Sequence, residues 1–446
     1  MRLIILILIV LTGLLLRLDN AWDGSERNMP DSAAYERIAR GLHEEGRFSQ
    51  TGPGTPAHPQ PATNYSPGLP LLVAGWYGLT GGEDVRSARI LLALISALSI
   101  PLAWTLALRL TPAEAGTAAA VSGAAVAAFY PTVISDTGML LTEPLAGTLI
   151  AGSLLALLAA RDSGKAAVWI LAGVLLGLTA MVRPEYLTIS VLAGAAVVAT
   201  LPARTFRARA LPACLLGLAF LLTVAPWSVH TARETGRLVP LSTGGGQTLF
   251  TGSIISSNGD PQKVMPGLLD ENPDIAARIE HQNRVSGEGS ESITPERVFT
   301  LLAADRHPGV PTDLALARMG RENYIDGLTS DPVGLGGLIV AKSTRVWWRG
   351  RSDLTGSPGG QIFHWLITGF AVTGLVLLAA RRRPEVWIIL ALTAGATAIG
   401  AVLVASPRRS LVLWPVVAAL SGVGVGGAIE LAKAGLTRRT RPLPVA

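Results

Sequence analysis

Charge is scarce in this sequence. Of its 446 residues only 15% are Asp, Glu, Lys or Arg, and the mean hydropathy is +0.43. That is too little charge to coat a soluble chain of this length, so lipid must be the solvent for much of it. Thiols are nearly absent. The one cysteine, Cys214, sits in an apolar run, which excludes a disulfide within the chain and a zinc site built on thiolates. No internal repeat of fixed period is present either. The net charge of +6 and the pI near 9.8 at first suggest a nucleic-acid partner. The basic residues, however, fall in short clusters between apolar runs. That is the pattern of membrane topology signals, and no nucleic acid is expected as a partner.

A helix needs about 20 mostly apolar residues to cross a bilayer. Ten stretches qualify as candidates: 3–18, 90–109, 115–134, 144–160, 166–182, 186–201, 211–229, 362–380, 386–405 and 410–432. The first is closed by Arg17 and Asp19 and has no small-x-small cleavage site, so it reads as an uncleaved span. The run Pro67–Thr80 is too short to cross comfortably. If it lies on the membrane, Arg2, Arg109, Arg161, Lys165, Arg204, Arg207, Arg209, Arg381, Arg382, Arg383 and the basic tail all share one side. If it crosses, every later cluster moves outside. The positive-inside rule selects the first arrangement, with both termini cytoplasmic and Pro67–Thr80 a juxtamembrane helix on the outer face.

The expected fold class is therefore an all-α polytopic membrane protein. It has about ten transmembrane helices, juxtamembrane helices and a mixed outer-face region. Three parts are expected: a transmembrane module over 1–229 carrying a first outer loop (19–88), an extracytoplasmic region over 230–360, and C-terminal helices with a basic cytoplasmic tail over 361–446. The many Ala and Gly residues in the spans let helices approach closely in lipid. Loops as long as the two outer ones are usually functional.

Several outward residues invite chemistry. Tyr35, Ile38 and Leu42 recur at helical spacing, which predicts a short amphipathic helix in the membrane interface. Asp31 stands at its start, either as an N-cap or as a catalytic carboxylate at the membrane surface. Asn64-Tyr65-Ser66-Pro67 marks a turn before an apolar helix. Glu143, just before Pro144, either pairs with the helix dipole or is a second active-site carboxylate facing Asp31. Arg183, in Arg183-Pro184-Glu185, breaks the positive-inside rule, and so do Arg408 and Arg409. Such arginines either hold an anion through their planar fork, pair internally with a residue such as Glu185, or snorkel toward headgroups. The run Gly244–Gly246 either presents N–H groups to phosphate or is a mobile loop. His230 has no close partner at metal-ligand spacing.

Taken in order, these motifs resemble the GT-C membrane glycosyltransferases. The likeness is strongest to the bacterial branch with protein O-mannosyltransferase-like enzymes, lipid A aminoarabinose transferases and lipopolysaccharide galacturonosyltransferases. It rests on Pro30-Asp31-Ser32 with Tyr35 and Ala39, Tyr65-Ser66-Pro67-Gly68-Leu69-Pro70, and Thr142-Glu143-Pro144. It continues through Val182-Arg183-Pro184-Glu185, Pro226-Trp227, Ser242-Thr243-Gly244-Gly245 and Arg408-Arg409. The resemblance implies a multi-pass protein of the inner or plasma membrane with its active site on the extracytoplasmic face. It would transfer a hexosyl or pentosyl unit from a polyprenyl-phosphate donor to a glycan, lipid or protein acceptor, with inversion. It also implies Asp31 as base, Glu143 as the second acidic position, and Tyr65, Arg183, Glu185, His230, Arg408 and Arg409 as substrate-binding residues. Some relatives hold a divalent metal near this site. Here Ser32 replaces a common acidic residue, and Tyr65 and Ser66 occupy the proline motif where metal-holding relatives are acidic. His230 stands where an arginine is common. The rival reading from span number alone is a transporter or flippase of envelope lipids or glycans.

Overall fold

Backbone polar groups in hydrocarbon must be satisfied within their own segment, so apolar runs of this kind fold as helices. The computed structural model of the chain describes residues 1–24, 29–50, 62–202, 205–286, 294–348 and 353–439, and among them there is no β-strand. Seven described helices are long and apolar enough to cross a membrane: Arg2–Asp23, Val85–Leu110, Thr142–Ser163, Arg207–Thr235, Pro358–Ala380, Glu385–Val402 and Trp414–Lys433. The pair Ala113–Phe129 and Pro131–Gly138, bent by 45°, makes an eighth if it is one broken span rather than a re-entrant loop. The apolar helices Ala166–Val182 and Tyr186–Ala199 are shorter. The chain is a multi-pass, helical membrane protein, with seven helices, or eight if the bent pair is one span, that meet the length and composition for crossing.

The C-terminal helix, Trp414–Arg439, packs between Ala113–Phe129 and Pro358–Ala380. Glycine makes this contact close. A Cβ on Gly374 would stand 2.1 Å from the Leu420 carbonyl oxygen, and one on Gly424 would stand 2.1 Å from that of Phe370. Here small residues in the spans bring backbones together, as their composition implies.

The first span differs from expectation. Its helix runs on to Asp23, and Arg17 does not close it. The Arg17 guanidinium is fully buried and donates to the carbonyls of Gly13, Ala127 and Ala128 and to Ser96 Oγ. Ala127 and Ala128 lie in the last turn of Ala113–Phe129, where free carbonyls carry the negative end of the helix dipole. A cation can therefore sit there without a carboxylate.

The outer region also departs from the mixed structure expected of it. Its described residues form the helices Gly245–Ser253, Pro261–Glu271, Pro273–Ser286, Pro295–Arg306, Thr312–Ser330 and Pro332–Trp348. Proline, which reads as loop punctuation, here opens four of these helices. It is tolerated there because the first N–H of a helix has no partner to lose. Phe250, Leu268, Ile279, Phe299, Leu302 and Leu316 belong to a second hydrophobic core, separate from that of the spans.

Two clusters of charge lie at opposite ends of the same helices. At one end Arg109 pairs with Asp162, Arg383 reaches Glu385 at 3.0 Å, and Arg161 approaches Glu385 at 3.8 Å. At the other end stand Glu143, Arg183 and Arg408. Glu143 and Arg161 share the Thr142–Ser163 helix, and at 1.5 Å per residue they are roughly 27 Å apart, about a hydrocarbon thickness. Single-cysteine labelling in a Cys214→Ser background tests the sides; Cys214 itself is exposed. A cysteine at Arg233 should react with an impermeant reagent in intact cells, and one at Arg382 should not. Reaction at position 382 would invert the topology. Lys342, also expected on the outer side, is fully buried and cannot report by this method. Arg204 and Arg441 lie outside the described residues.

Candidate active site

The site is assembled from three turns and one short helix. Asp31 lies in the first turn of the helix Pro30–Glu45, after Pro30 at its first position. The N-cap is Met29, so Asp31 does not take the capping role. The apolar face of this helix, with Tyr35 and Ile38 buried, packs on Gly68–Thr80 and is covered by protein rather than lipid. Ser32 Oγ accepts a hydrogen bond from the Leu140 N–H at 3.0 Å, which ties this helix to the turn that precedes Glu143. The Tyr65 motif is fixed in turn to the Arg183 turn, because Ser66 Oγ donates to the Val182 carbonyl at 2.7 Å.

Asp31, Glu143 and Arg408 meet although they are far apart in sequence. Arg408 donates from Nη1 to Asp31 Oδ2 and from Nε to Glu143 Oε1, and its Nη2 reaches Glu143 Oε2 at 3.2 Å. Arg183 Nη1 lies 3.5 Å from Glu143 Oε1 and donates to Thr142 Oγ1 at 3.2 Å. Arg183 also donates from Nε to Glu185 Oε1 at 2.9 Å, and Arg409 Nη1 lies 3.4 Å from the same oxygen. The result is a ladder of alternating sign: Asp31, Arg408, Glu143, Arg183, Glu185, Arg409. Buried charges are tolerable when paired in this way.

The electrostatics follow this order. Burial opposes the charge on Glu185, but Arg183 and Arg409 outweigh it and draw its carboxyl down to about 2. Burial likewise opposes the charge on Arg183, yet Glu185 and Glu143 hold it above its ordinary value. Arg408 is raised in the same sense by Glu143 and Asp31 against the effect of burial. Arg409 is lowered, chiefly by burial. The two ends of the Asp31–Glu143 pair differ in access. The Asp31 side chain is 41% exposed, whereas that of Glu143 is 2% exposed. Asp31 is therefore open to solvent and to a ligand, whereas Glu143 is enclosed.

Tyr65 sits at the mouth of the site, its ring 5.5 Å from that of Tyr35 in an edge-on contact. Burial first, then Asp31 and Glu296, push its hydroxyl pKa up. His230 packs on Trp227, with ring centroids 4.5 Å apart. Arg409 turns away from Asp31 and Glu143, and its Nε donates to the Val404 carbonyl at 3.1 Å. The glycine run opens the helix Gly245–Ser253, and Thr243 N–H donates to the Thr63 carbonyl at 2.8 Å. One carboxylate escaped the sequence reading. Asp136 is buried and lines a small cavity with Glu143, Ser96, Ser99 and Thr148. Its signal was its place in the same turn between spans as Glu143.

Among the described residues there is no group of three or more His, Cys, Asp and Glu side chains placed to hold a metal. The guanidinium of Arg408 lies between Asp31 and Glu143, where a bridging cation would have to be. This donor set does not fit a resident divalent metal.

The family model for dolichyl-phosphate-mannose-protein mannosyltransferase matches residues 58–230. No curated protein sequence matches the chain. Among solved structures, it is similar to the oligosaccharyltransferase AglB of Archaeoglobus fulgidus in complex with an inhibitory peptide and a dolichol-phosphate. The identity is 18% and the TM-score 0.55, over 100% of this chain and 52% of that one. The apo form of the Archaeoglobus fulgidus oligosaccharyltransferase gives 16% identity and a TM-score of 0.58, over 98% and 51%. The chain thus spans about half the length of these structures. A looser likeness, with 14% identity and a TM-score of 0.43 over 98% and 81%, is to ArnT from Cupriavidus metallidurans bound to undecaprenyl phosphate. Helical architecture, the family match and the order of the motifs agree, and the chain is a multi-pass membrane protein of the GT-C fold.

Proposed function

We propose that the protein is a glycosyltransferase that moves a sugar from a polyprenyl-phosphate donor to an acceptor on the extracytoplasmic face of the inner or plasma membrane. The observation that carries this reading is the meeting of Asp31, Glu143, Arg183 and Arg408 in one partly open site. A transporter or a scaffold has no need of a base and a phosphate clamp at one membrane surface.

The ladder is electrically balanced, so an incoming lipid phosphate must take a cation from a carboxylate. Asp31 is the carboxylate free to yield. In this reading the phosphate displaces Asp31 from Arg408, while Glu143 and Arg183 hold the far side of the guanidinium cluster in place. Asp31 is then available to an acceptor O–H or N–H. The acceptor oxygen or nitrogen attacks the anomeric carbon and its proton passes to Asp31. The bond from that carbon to the phosphate oxygen breaks, and its electron pair leaves with the lipid phosphate. A single displacement inverts the anomeric centre. Negative charge grows on the phosphate in the transition state, so Arg408 stabilises that state more than the bound donor.

The lipid tail has a candidate place. Trp347, Trp348, Trp365, Thr368 and Val372 line an apolar groove, and the neighbouring Val346 lies against Gly400, beside Arg409. A polyprenyl chain lying there would stay in hydrocarbon while its phosphate reaches the arginines.

Reconstitution separates enzyme from flippase. Purified protein in vesicles, given a mixture of polyprenyl-phosphate sugars and membrane-extracted acceptors, should release free polyprenyl phosphate from one donor and form a product of opposite anomeric configuration. Movement of an intact donor across the bilayer with its sugar bond unbroken would support the flippase instead.

A further inference from the structure

Lys342 is a lysine with 0% exposure and, among the described residues, no carboxylate partner for its ammonium. Its Nζ donates to the Gly252 carbonyl at 2.6 Å, the Tyr324 hydroxyl at 2.9 Å and the Val402 carbonyl at 3.1 Å. The two carbonyls share a physical character. Gly252 is in the last turn of Gly245–Ser253, and Val402 ends Glu385–Val402. Carbonyls at a helix C-terminus have no partner within the helix and carry the negative end of its dipole. The ammonium thus caps two converging helices at once, and its three donors meet three oxygens. The Tyr324 hydroxyl also reaches both carbonyls.

What this clasp holds is the segment that delivers the site arginines. After Val402 the chain is extended, and Val404 N–H donates to the Thr248 carbonyl at 3.0 Å. The Val404 carbonyl accepts from Arg409 Nε, and Arg408 follows Ser406 and Pro407 into its short helix. The segment lies so close to Gly252 that a Cβ there would stand 2.5 Å from the Leu403 carbonyl carbon. Each link is local, and together they run from Lys342 to the guanidinium of Arg408.

We infer that Lys342 is a positioning residue: by capping both helices it fixes the Val402–Pro407 segment and thereby the place of Arg408 against the donor's phosphate. This inference rests on the proposed use of a lipid-phosphate donor. Burial, and to a lesser degree Arg409, push the Lys342 pKa down to about 7, as desolvation of an ammonium does.

The experiment is binding of undecaprenyl phosphate to the full-length protein in nanodiscs, with thermal stability measured alongside. Lys342→Met should weaken binding roughly tenfold, within what a small displacement of a distant binding group can do. Lys342→Arg, which keeps a multivalent cation, should restore much of that loss. Tyr324→Phe, which removes one oxygen but little volume, should weaken binding in the same direction and serves where Lys342→Met does not fold. In an Arg408→Ala background, Lys342→Met should weaken binding no further, because its effect passes through Arg408. Equal binding by wild type, Lys342→Met and Tyr324→Phe, or losses that simply add to that of Arg408→Ala, would overturn the clasp alone. Wild-type protein that does not bind undecaprenyl phosphate would overturn the donor reading and the clasp with it.

Discussion

Asp31→Asn is expected to abolish sugar transfer and leave a folded protein. Asparagine keeps the shape and the hydrogen-bonding oxygen but cannot take a proton from the acceptor. Loss of a general base typically lowers turnover by about 10²–10⁴-fold. The structural cost is small, because Asp31 is not the N-cap of its helix and a charge in the first turn contributes only about 0.3–1 kcal/mol. The measurement is turnover together with melting temperature in detergent. A large fall in turnover with a nearly unchanged melting temperature supports the base. Wild-type turnover removes the assignment and leaves Asp31 as the partner of Arg408.

Arg408 is expected to give the second largest effect. Arg408→Ala should lower turnover by about 10²–10³-fold, the loss seen when a donor to developing charge is removed. Donor affinity should fall less than turnover if the contact strengthens in the transition state. Alanine also strips Glu143 of its nearest cation, so some loss of stability is expected. Arg408→Lys separates charge from geometry. An ammonium restores one positive charge but not the planar fork that serves Asp31 and Glu143 together, so turnover should stay low. Full activity with lysine would mean that the residue only snorkels toward headgroups. Arg409→Ala should act mainly through Glu185 and the Val404 carbonyl, with a smaller effect on turnover.

Asp31 was legible from its place at the start of an amphipathic helix and through resemblance, whereas the other residues that meet in the site were legible because they break a local rule. In the topology expected from the charge clusters, Arg183, Arg408 and Arg409 fall on the side from which the positive-inside rule should exclude them, and Glu143 falls at the end of an apolar run. Their partners were not legible. Arg408 and Arg409 give the same signal in sequence, yet adjacent positions on a helical turn point in different directions. One bridges Asp31 and Glu143, and the other backs Glu185. His230 was grouped with the site through resemblance alone, and its ring packs on Trp227. Lys342 sits beside Ser343 and Thr344, as a solvent-facing lysine would, and its acceptors include two backbone carbonyls from distant helices. No side-chain pattern encodes such acceptors. The spans were legible from hydropathy, since lipid leaves helices little alternative. The outer region was less so, because its helix-opening prolines look like loop residues until the first helical turn is seen.

Consumption of a polyprenyl-phosphate sugar at the site formed by Asp31, Glu143, Arg183 and Arg408 is testable in the cell. The most direct measurement is the lipid-linked sugar profile of a deletion strain, of the same strain carrying the wild-type gene, and of the strain carrying the Asp31→Asn variant at matched expression. One polyprenyl-phosphate sugar should accumulate in the deletion strain, return to its normal level with the wild-type gene, and stay elevated with Asp31→Asn. An unchanged lipid-linked sugar pool in the deletion strain, or full correction by Asp31→Asn, would contradict it.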